Sequence, residues 1–186
     1  MRAGSAGPYR MPCHVARQAP DTLAFLRGTW HLDRSLTDLR LGISGTFTGQ
    51  AEFAATGDPA VLRYHEQGEL RFGGHTGPAW RALLCRGLPG GAVDVRFADG
   101  REFYRLDLSS GRWRARHLCA GRDDYVVTFR VLSQDLLEER WRVLGPEKDY
   151  VSLTALRRTA RAPGAAATHP PASTAEPHRR GVGSAA

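Results

Sequence analysis

The chain has 186 residues and is 41% hydrophobic, which is enough for one globular domain and too little for two. Its formal charge of +7 is typical of nucleic-acid-binding proteins, yet residues 21–158 hold 20 Lys and Arg against 18 Asp and Glu. Because most of the excess charge lies outside this near-neutral part, composition argues against a nucleic-acid partner.

Neither membrane insertion nor secretion is indicated by the sequence. No run approaches the roughly 18 apolar residues of a membrane span, and residues 1–20 lack the apolar core of a signal peptide. The three cysteines are odd in number and widely spaced, so they predict neither a disulfide framework nor a zinc site. We therefore expect a cytoplasmic protein without membrane contact, beginning at Met1 or Met11.

Taken in chain order, the sequence divides into three parts. We predict a disordered segment over residues 1–20, a folded domain over 21–159 and a disordered tail over 160–186. The tail consists of Pro, Ala, Gly and Ser without periodicity, and it cannot bury enough apolar area to offset its ordering entropy. The folded part opens with PDTLAFLRG, in which Asp21 is placed to cap a short helix over about 21–27.

Beyond this helix the hydrophobic pattern alternates with period two, and clusters of turn-forming residues interrupt it. The predicted strands cover about 29–36, 44–55, 61–72, 78–86, 92–98, 101–108, 112–119, 124–132, 136–144 and 150–158. Short links force neighbouring strands to be antiparallel, and closure is the simplest way to remove exposed edges. The sequence therefore predicts an all-β fold, a single antiparallel up-and-down barrel of about ten strands with a short N-terminal helix.

Alternation also predicts which polar side chains point into the barrel. The side chains that share a face with large apolar residues are Arg34, Tyr64, Glu66, His117, Tyr125 and Glu139. Buried polar groups need partners or cost a few kcal/mol, so this set has two compatible interpretations. Arg34 pairs with Glu66 or Glu139 and braces the barrel, or the polar groups converge on a small-molecule site. The GPEKDY turn adds Lys148 and Tyr150 at the mouth as further ligand-binding candidates.

The segment RHLCAGRDDY, residues 116–125, raises the question of a metal or a reactive thiol. His117 and Cys119 would supply two ligands on one strand face, but the other histidines alternate outward or lie in turns and tails. No helix begins beside Cys119 to activate its thiol. We expect a strand, a turn and a strand start, with neither a metal nor a cofactor.

Two sets of residues carry a resemblance to known barrels. GTW at 28–30 resembles the Gly-x-Trp start of the lipocalin and fatty-acid-binding (calycin) barrels, which implies that Trp30 plugs one end and that Arg157 or Arg158 packs over it. The ordered set GTWHLDR, GTFTGQAEF, FADGREFYRLDL, RHLCAGRDDY and WRVLGPEKDY resembles an uncharacterised bacterial and fungal domain family over about 22–158. This implies a lipocalin-like barrel and no particular substrate.

The strand count also resembles the haem-binding nitrobindin barrels, which use a histidine near the C-terminal strand. DYVSLTALRR has no histidine, so His117 would have to replace it from another strand.

The sequence predicts binding of a small organic ligand inside the barrel, with two alternatives left open. One is an enzyme in which His117 and a carboxylate such as Glu139 act as base and acid. The other is an interaction module with an arginine-rich outer face, formed by Arg112, Arg114, Arg116, Arg130, Arg140 and Arg142.

Overall fold

The computed structural model describes residues 17–119 and 122–159. Most of the predicted disordered segments, 1–20 and 160–186, and the side chain of Cys119 lie outside the described part of the chain. Residues 17–20 are described, and there the Arg17 amide donates to the Val131 carbonyl oxygen at 3.0 Å.

One helix and ten antiparallel strands make up this part of the chain. The elements are α1 (Thr22–Leu26), β1 (Gly28–Asp38), β2 (Ile43–Ala55), β3 (Val61–Phe72), β4 (His75–Gly87), β5 (Val93–Phe97), β6 (Glu102–Leu106), β7 (Arg112–Cys119), β8 (Asp123–Ser133), β9 (Leu136–Leu144) and β10 (Asp149–Arg158). They form one sheet in the order β6-β5-β4-β3-β2-β1-β10-β9-β8-β7. The predicted all-β barrel is confirmed.

The barrel is nearly closed between its two edge strands, β6 and β7. The Trp113 indole N–H on β7 donates to the Arg105 carbonyl oxygen on β6 at 2.6 Å. No ladder joins these two strands within the described ranges. The short β5–β6 hairpin covers only residues 83–87 of β4, so the preceding half of β4 has a strand partner on one side alone.

β4 begins three residues earlier than the sequence predicts. Gly73 and Gly74 both have positive φ, +56° and +81°, which glycine adopts at little cost. They form a two-residue hairpin, so that Phe72 pairs directly with His75. Pro78 is tolerated within β4 because this half of the strand is an edge, where no ladder bond is lost.

The helix and the last residue of β10 close one end of the barrel. Asp21 accepts a hydrogen bond from the Ala24 amide at 2.9 Å and caps α1 as predicted. The fully buried Trp30 indole donates to the Leu26 carbonyl at 2.8 Å, and the Arg158 guanidinium lies 4.0 Å from its ring centroid. Of the two candidate arginines, Arg158 covers the tryptophan, whereas Arg157 is exposed and pairs with Asp33 on the outer face.

The interior has an apolar half and a polar half. Near the helix it is filled by fully buried side chains that include Leu26, Trp30, Leu32, Leu62 and Leu137. Toward the opposite end the inward side chains of the same strands become polar and aromatic, and the packing leaves space. No described helix has the length and apolar character needed to span a bilayer.

Candidate functional site

A cavity of about 240 Å³ occupies the polar half of the barrel. It is lined by Arg34, Leu36, Arg81, Phe97, Phe103, His117, Tyr125, Trp141, Tyr150 and Ser152. Four of the eight predicted site residues are in this lining: Arg34, His117, Tyr125 and Tyr150. The other four lie around it: Tyr64, Glu66 and Glu139 are buried beneath the lining, and Lys148 is at the rim.

Glu66 is the centre of a buried hydrogen-bond network. Arg34 on β1 donates from both terminal nitrogens to the two Glu66 oxygens at 2.9 Å each, the bidentate geometry that gives strong charge-assisted bonds. Its Nε donates to the Thr154 hydroxyl at 2.8 Å. The Tyr64 hydroxyl also donates to Glu66 Oε2, and Arg81 Nη2 lies 3.3 Å from the same oxygen.

These partners keep Glu66 ionised. Burial by itself would raise the pKa of this carboxyl, but the charges of Arg81 and Arg34 and the hydrogen bonds outweigh it and lower the pKa to about 2. Burial raises the pKa of Tyr64, and the neighbouring Glu66 charge raises it further, so that the hydroxyl stays protonated as a donor.

Glu139 on β9 is the second buried carboxylate. It accepts the Trp141 indole N–H at 2.7 Å, and its other oxygen is 3.8 Å from Arg34 Nη2. The interpretation in which Arg34 braces the barrel is thus realised mainly through Glu66. Among the described residues no hydrogen bond or ion pair joins His117 to Glu139, the pair that the enzyme alternative requires.

Arg81 is a candidate site residue that is not among the eight predicted ones. It lines the cavity from β4, with one third of its side chain accessible, and its buried Nε has no hydrogen-bond partner among the described residues. Its position was readable, because Arg81 alternates with Leu83 and Cys85 on the buried face of β4. The same alternation that identified Arg34 would have identified Arg81.

Aromatic rings form one wall of the cavity. Phe103 is nearly parallel to Trp141, with centroids 5.4 Å apart and an angle of 11°. Phe97 stacks on the other side of this pair, 4.5 Å from Phe103. His117 meets the Phe103 ring edge-on at 5.3 Å, so it lies inside the barrel as the alternation predicts. Its contribution to binding stays a prediction.

At the mouth, Lys148 joins the β9–β10 turn to the start of β8. Its ammonium lies 2.8 Å from Asp123 Oδ2 and donates to the Tyr125 hydroxyl at 2.8 Å. The hydrogen bond to Asp123, followed by that to Tyr125, raises the pKa of Lys148. Lys148 therefore positions Tyr125 in the cavity wall, and Tyr150, from the same GPEKDY turn, lines the cavity directly.

The arginines of the outer face are partly neutralised. Arg116 pairs with Asp124 at 2.6 Å, Arg130 lies 3.5 Å from Glu138, and Arg142 pairs with Asp149. Exposed pairs of this kind contribute little to stability, and they reduce the net positive charge available to an anionic partner. In the described ranges no group of three or more His, Cys, Asp or Glu side chains is placed to hold a metal ion.

Comparison with known proteins identifies the family. Residues 26–158 match the family of unknown function DUF6314, and the chain belongs to that family. This agrees with the expected membership of an uncharacterised family with a barrel fold, whereas the bacterial and fungal distribution stays an expectation. No curated protein matches the chain.

Solved structures share the fold at low identity. An S-type phycobiliprotein lyase, CPES, from Guillardia theta is 10% identical with a TM-score of 0.55, over 83% of this chain and 100% of that chain. A DUF3598-family protein of unknown function from Nostoc punctiforme is 14% identical with a TM-score of 0.50, over 76% of this chain and 51% of that chain. These likenesses show a common barrel fold.

Proposed function

We propose that this member of the DUF6314 family binds a small organic molecule inside its barrel. The observation that carries the proposal is the cavity of about 240 Å³, which has an aromatic wall and convergent polar side chains. Protein interiors are normally packed as densely as organic crystals. An apolar cavity with a few well-placed polar groups is the usual form of a small-molecule site.

The polar groups exceed what the barrel needs for its own stability. The bidentate pair of Arg34 and Glu66 already braces β1 against β3. Arg81 adds a second interior cation, which lines the cavity and whose Nη1 makes no hydrogen bond to a described residue. A charged donor that lines the cavity without a partner gains a charge-assisted hydrogen bond when a bound molecule supplies the acceptor.

We assign two roles to the eight predicted site residues and Arg81. Those that contact the ligand are Arg34, Arg81, His117, Tyr125 and Tyr150. Those that hold the contact residues in place are Tyr64, Glu66, Glu139 and Lys148. The proposal keeps the cytoplasmic location expected from the sequence, where the ligand would be a metabolite of the host cell.

Native mass spectrometry of protein isolated gently from its own host tests this proposal. Ser152 is buried and lines the cavity, so Ser152→Phe should fill the space that the ligand needs. Ser35 is exposed on the outer face of the adjacent β1, and Ser35→Phe is the matched control. We expect an additional mass on the wild type and on Ser35→Phe, and none on Ser152→Phe.

Two results would contradict the proposal. One is the absence of any additional mass on freshly isolated wild-type protein. The other is an additional mass that persists on a folded Ser152→Phe variant, since the molecule would then bind elsewhere.

A further inference from the structure

The charged side chains in the cavity lining are arginines, which donate hydrogen bonds and accept none. The lining contains two arginines, a histidine, two tyrosines and a serine, and no carboxylate. Both buried carboxylates of the barrel, Glu66 and Glu139, lie behind this lining. A ligand in the cavity therefore contacts the arginines of the lining before it reaches either carboxylate.

The two arginines differ in how many donors they have left. Arg34 uses all three of its nitrogens, on Thr154 and on Glu66. Arg81 makes a single 3.3 Å contact, from Nη2 to Glu66, and neither its Nε nor its Nη1 is hydrogen-bonded to another described residue. Nη1 is thus the terminal nitrogen of Arg81 that is free to donate a charge-assisted hydrogen bond to a carboxylate oxygen in the cavity.

Charge balance limits the ligand to a single negative charge. The two interior arginines are matched by Glu66 and Glu139, so the cluster is formally neutral before anything binds. A monoanion at Arg81 gains charge-assisted hydrogen bonds, whereas a dianion would add repulsion from the two carboxylates behind it. A cation would face two arginines and find no carboxylate among the described lining residues.

The size and shape of the cavity limit the rest of the molecule. A volume of 240 Å³ equals the liquid volume of about eight waters, which suits one or two rings. The row of Phe97, Phe103 and Trp141 gives a flat aromatic wall against which a ring packs in stacked or edge-on geometry.

We infer that the ligand is a flat aromatic acid of one or two rings, whose carboxylate accepts hydrogen bonds from Arg81 and whose ring packs against Phe103 and Trp141. This inference rests on the proposed function, because it assumes that the cavity is a binding site. Arg81 is then the residue that selects an acid over a neutral compound of the same shape.

Calorimetric titration with three matched probes tests the inference. The probes are 2-naphthoate, 2-naphthamide and 2-naphthylmethylammonium, which share a ring system and differ in the charge of the substituent. We expect the acid to bind about tenfold or more tightly than the amide, as a charge-assisted bond is stronger than a neutral one. The ammonium compound should bind least.

Variants at Arg81 identify the contact. Arg81→Gln should remove the preference for the acid, and Arg81→Lys, which keeps the charge without the fork, should retain part of it. Arg86→Gln changes an exposed arginine on the outer face of the same strand and should leave the preference intact. Melting curves establish whether each variant is folded. If Arg81→Gln does not fold, Arg81→Lys provides the test of the contact.

The outcomes separate this inference from the proposed function. If the amide or the ammonium compound binds as tightly as the acid, or if a folded Arg81→Gln or Arg81→Lys variant keeps the full preference, the ligand class is wrong and the cavity remains a binding site. If no probe binds while native mass spectrometry shows a bound molecule, the class is again wrong. If neither measurement shows binding, both proposals fail.

Discussion

Replacing the carboxylate at the centre of the barrel interior should destabilise the fold strongly. Glu66→Gln keeps the shape of the side chain but leaves Arg34 and Arg81 without the negative charge that pairs with both of them. It also weakens the acceptor of the Tyr64 hydroxyl. Removing one partner of a buried ion pair typically costs about 3–5 kcal/mol, because the remaining charge stays buried and uncompensated.

The pKa of Glu66 leads to a similar value for the stability that its charge contributes. The folded protein lowers the pKa of this carboxyl from its ordinary 4.5 to about 2. At about 1.4 kcal/mol per unit, this corresponds to about 3 kcal/mol of stability at neutral pH. Because the folded pKa is the lower one, this stability is fully present above pH 4.5 and is lost as the pH falls toward 2.

Urea denaturation followed by tryptophan fluorescence between pH 4 and pH 7 measures the effect. Glu69→Gln is the matched control. Glu69 is exposed on the same strand and, within the described ranges, pairs with Arg71 alone, so its loss should cost under about 0.5 kcal/mol. We expect Glu66→Gln to lose about 3 kcal/mol at pH 7, with the difference from wild type shrinking below pH 5. Two results would contradict this prediction: a loss of stability similar to that of Glu69→Gln, or a difference in unfolding free energy between wild type and Glu66→Gln that grows on acidification.

Three further predictions concern single side chains. His117→Leu should leave the barrel folded and weaken binding of the co-purifying ligand by about 0.5–1.5 kcal/mol. A fall in melting temperature with unchanged affinity would contradict a contact between His117 and the ligand. A hundredfold or greater loss of turnover with unchanged binding would indicate catalysis. Arg158→Ala should cost about 2 kcal/mol in urea denaturation, because Arg158 covers Trp30 and donates to three backbone carbonyls. Arg157→Ala should stay within about 0.5 kcal/mol, and equal losses would argue against the role of Arg158 in covering Trp30. Burial raises the pKa of the Cys85 thiol to about 12, so Cys85 should resist Ellman's reagent at pH 8 until the protein unfolds, and three rapidly reacting thiols in the native protein would contradict this.

The strands were predictable because local signals agree along most of the chain. Asp99 and Gly100 form the expected hairpin turn, in which Gly100 has a φ of +87° and Asp99 accepts from the Arg101 amide at 3.0 Å. The start of β4 was mispredicted because Gly77 and Pro78 disfavour strands. They are accommodated there only because the short β5–β6 hairpin leaves that half of β4 without a second neighbour, which is a property of the whole sheet.

The sequence predicts which residues line the site better than it predicts the distances between them. Alternation shows that Arg34, Glu66 and Glu139 point inward, but it gives no distances between strands that are far apart in sequence. The sequence therefore could not decide between the two partners for Arg34, and the structure shows a bidentate pair with Glu66 and a 3.8 Å separation from Glu139. Register and barrel radius determine this choice, and both are set by the closed sheet.

The outer surface around Trp80 is an alternative binding site, and one experiment can distinguish binding there from binding in the cavity. Trp80 is 73% exposed beside His65 on the outside of the barrel, whereas Trp141 lies in the cavity wall and Trp30 is fully buried at the closed end. The four tryptophans thus report on different parts of the same molecule.

Fluorine NMR of protein labelled with 5-fluorotryptophan, titrated with a low-molecular-weight extract of the host cell, tests most directly whether the barrel interior is the binding site. Single substitutions assign the four resonances. If the ligand binds inside the barrel, the chemical shift of the Trp141 resonance should change and reach a plateau as the extract is added. The chemical shifts of Trp80 and Trp30 should remain unchanged. A shift at Trp80 with Trp141 unchanged, or no shift at any of the four positions, would contradict binding inside the barrel.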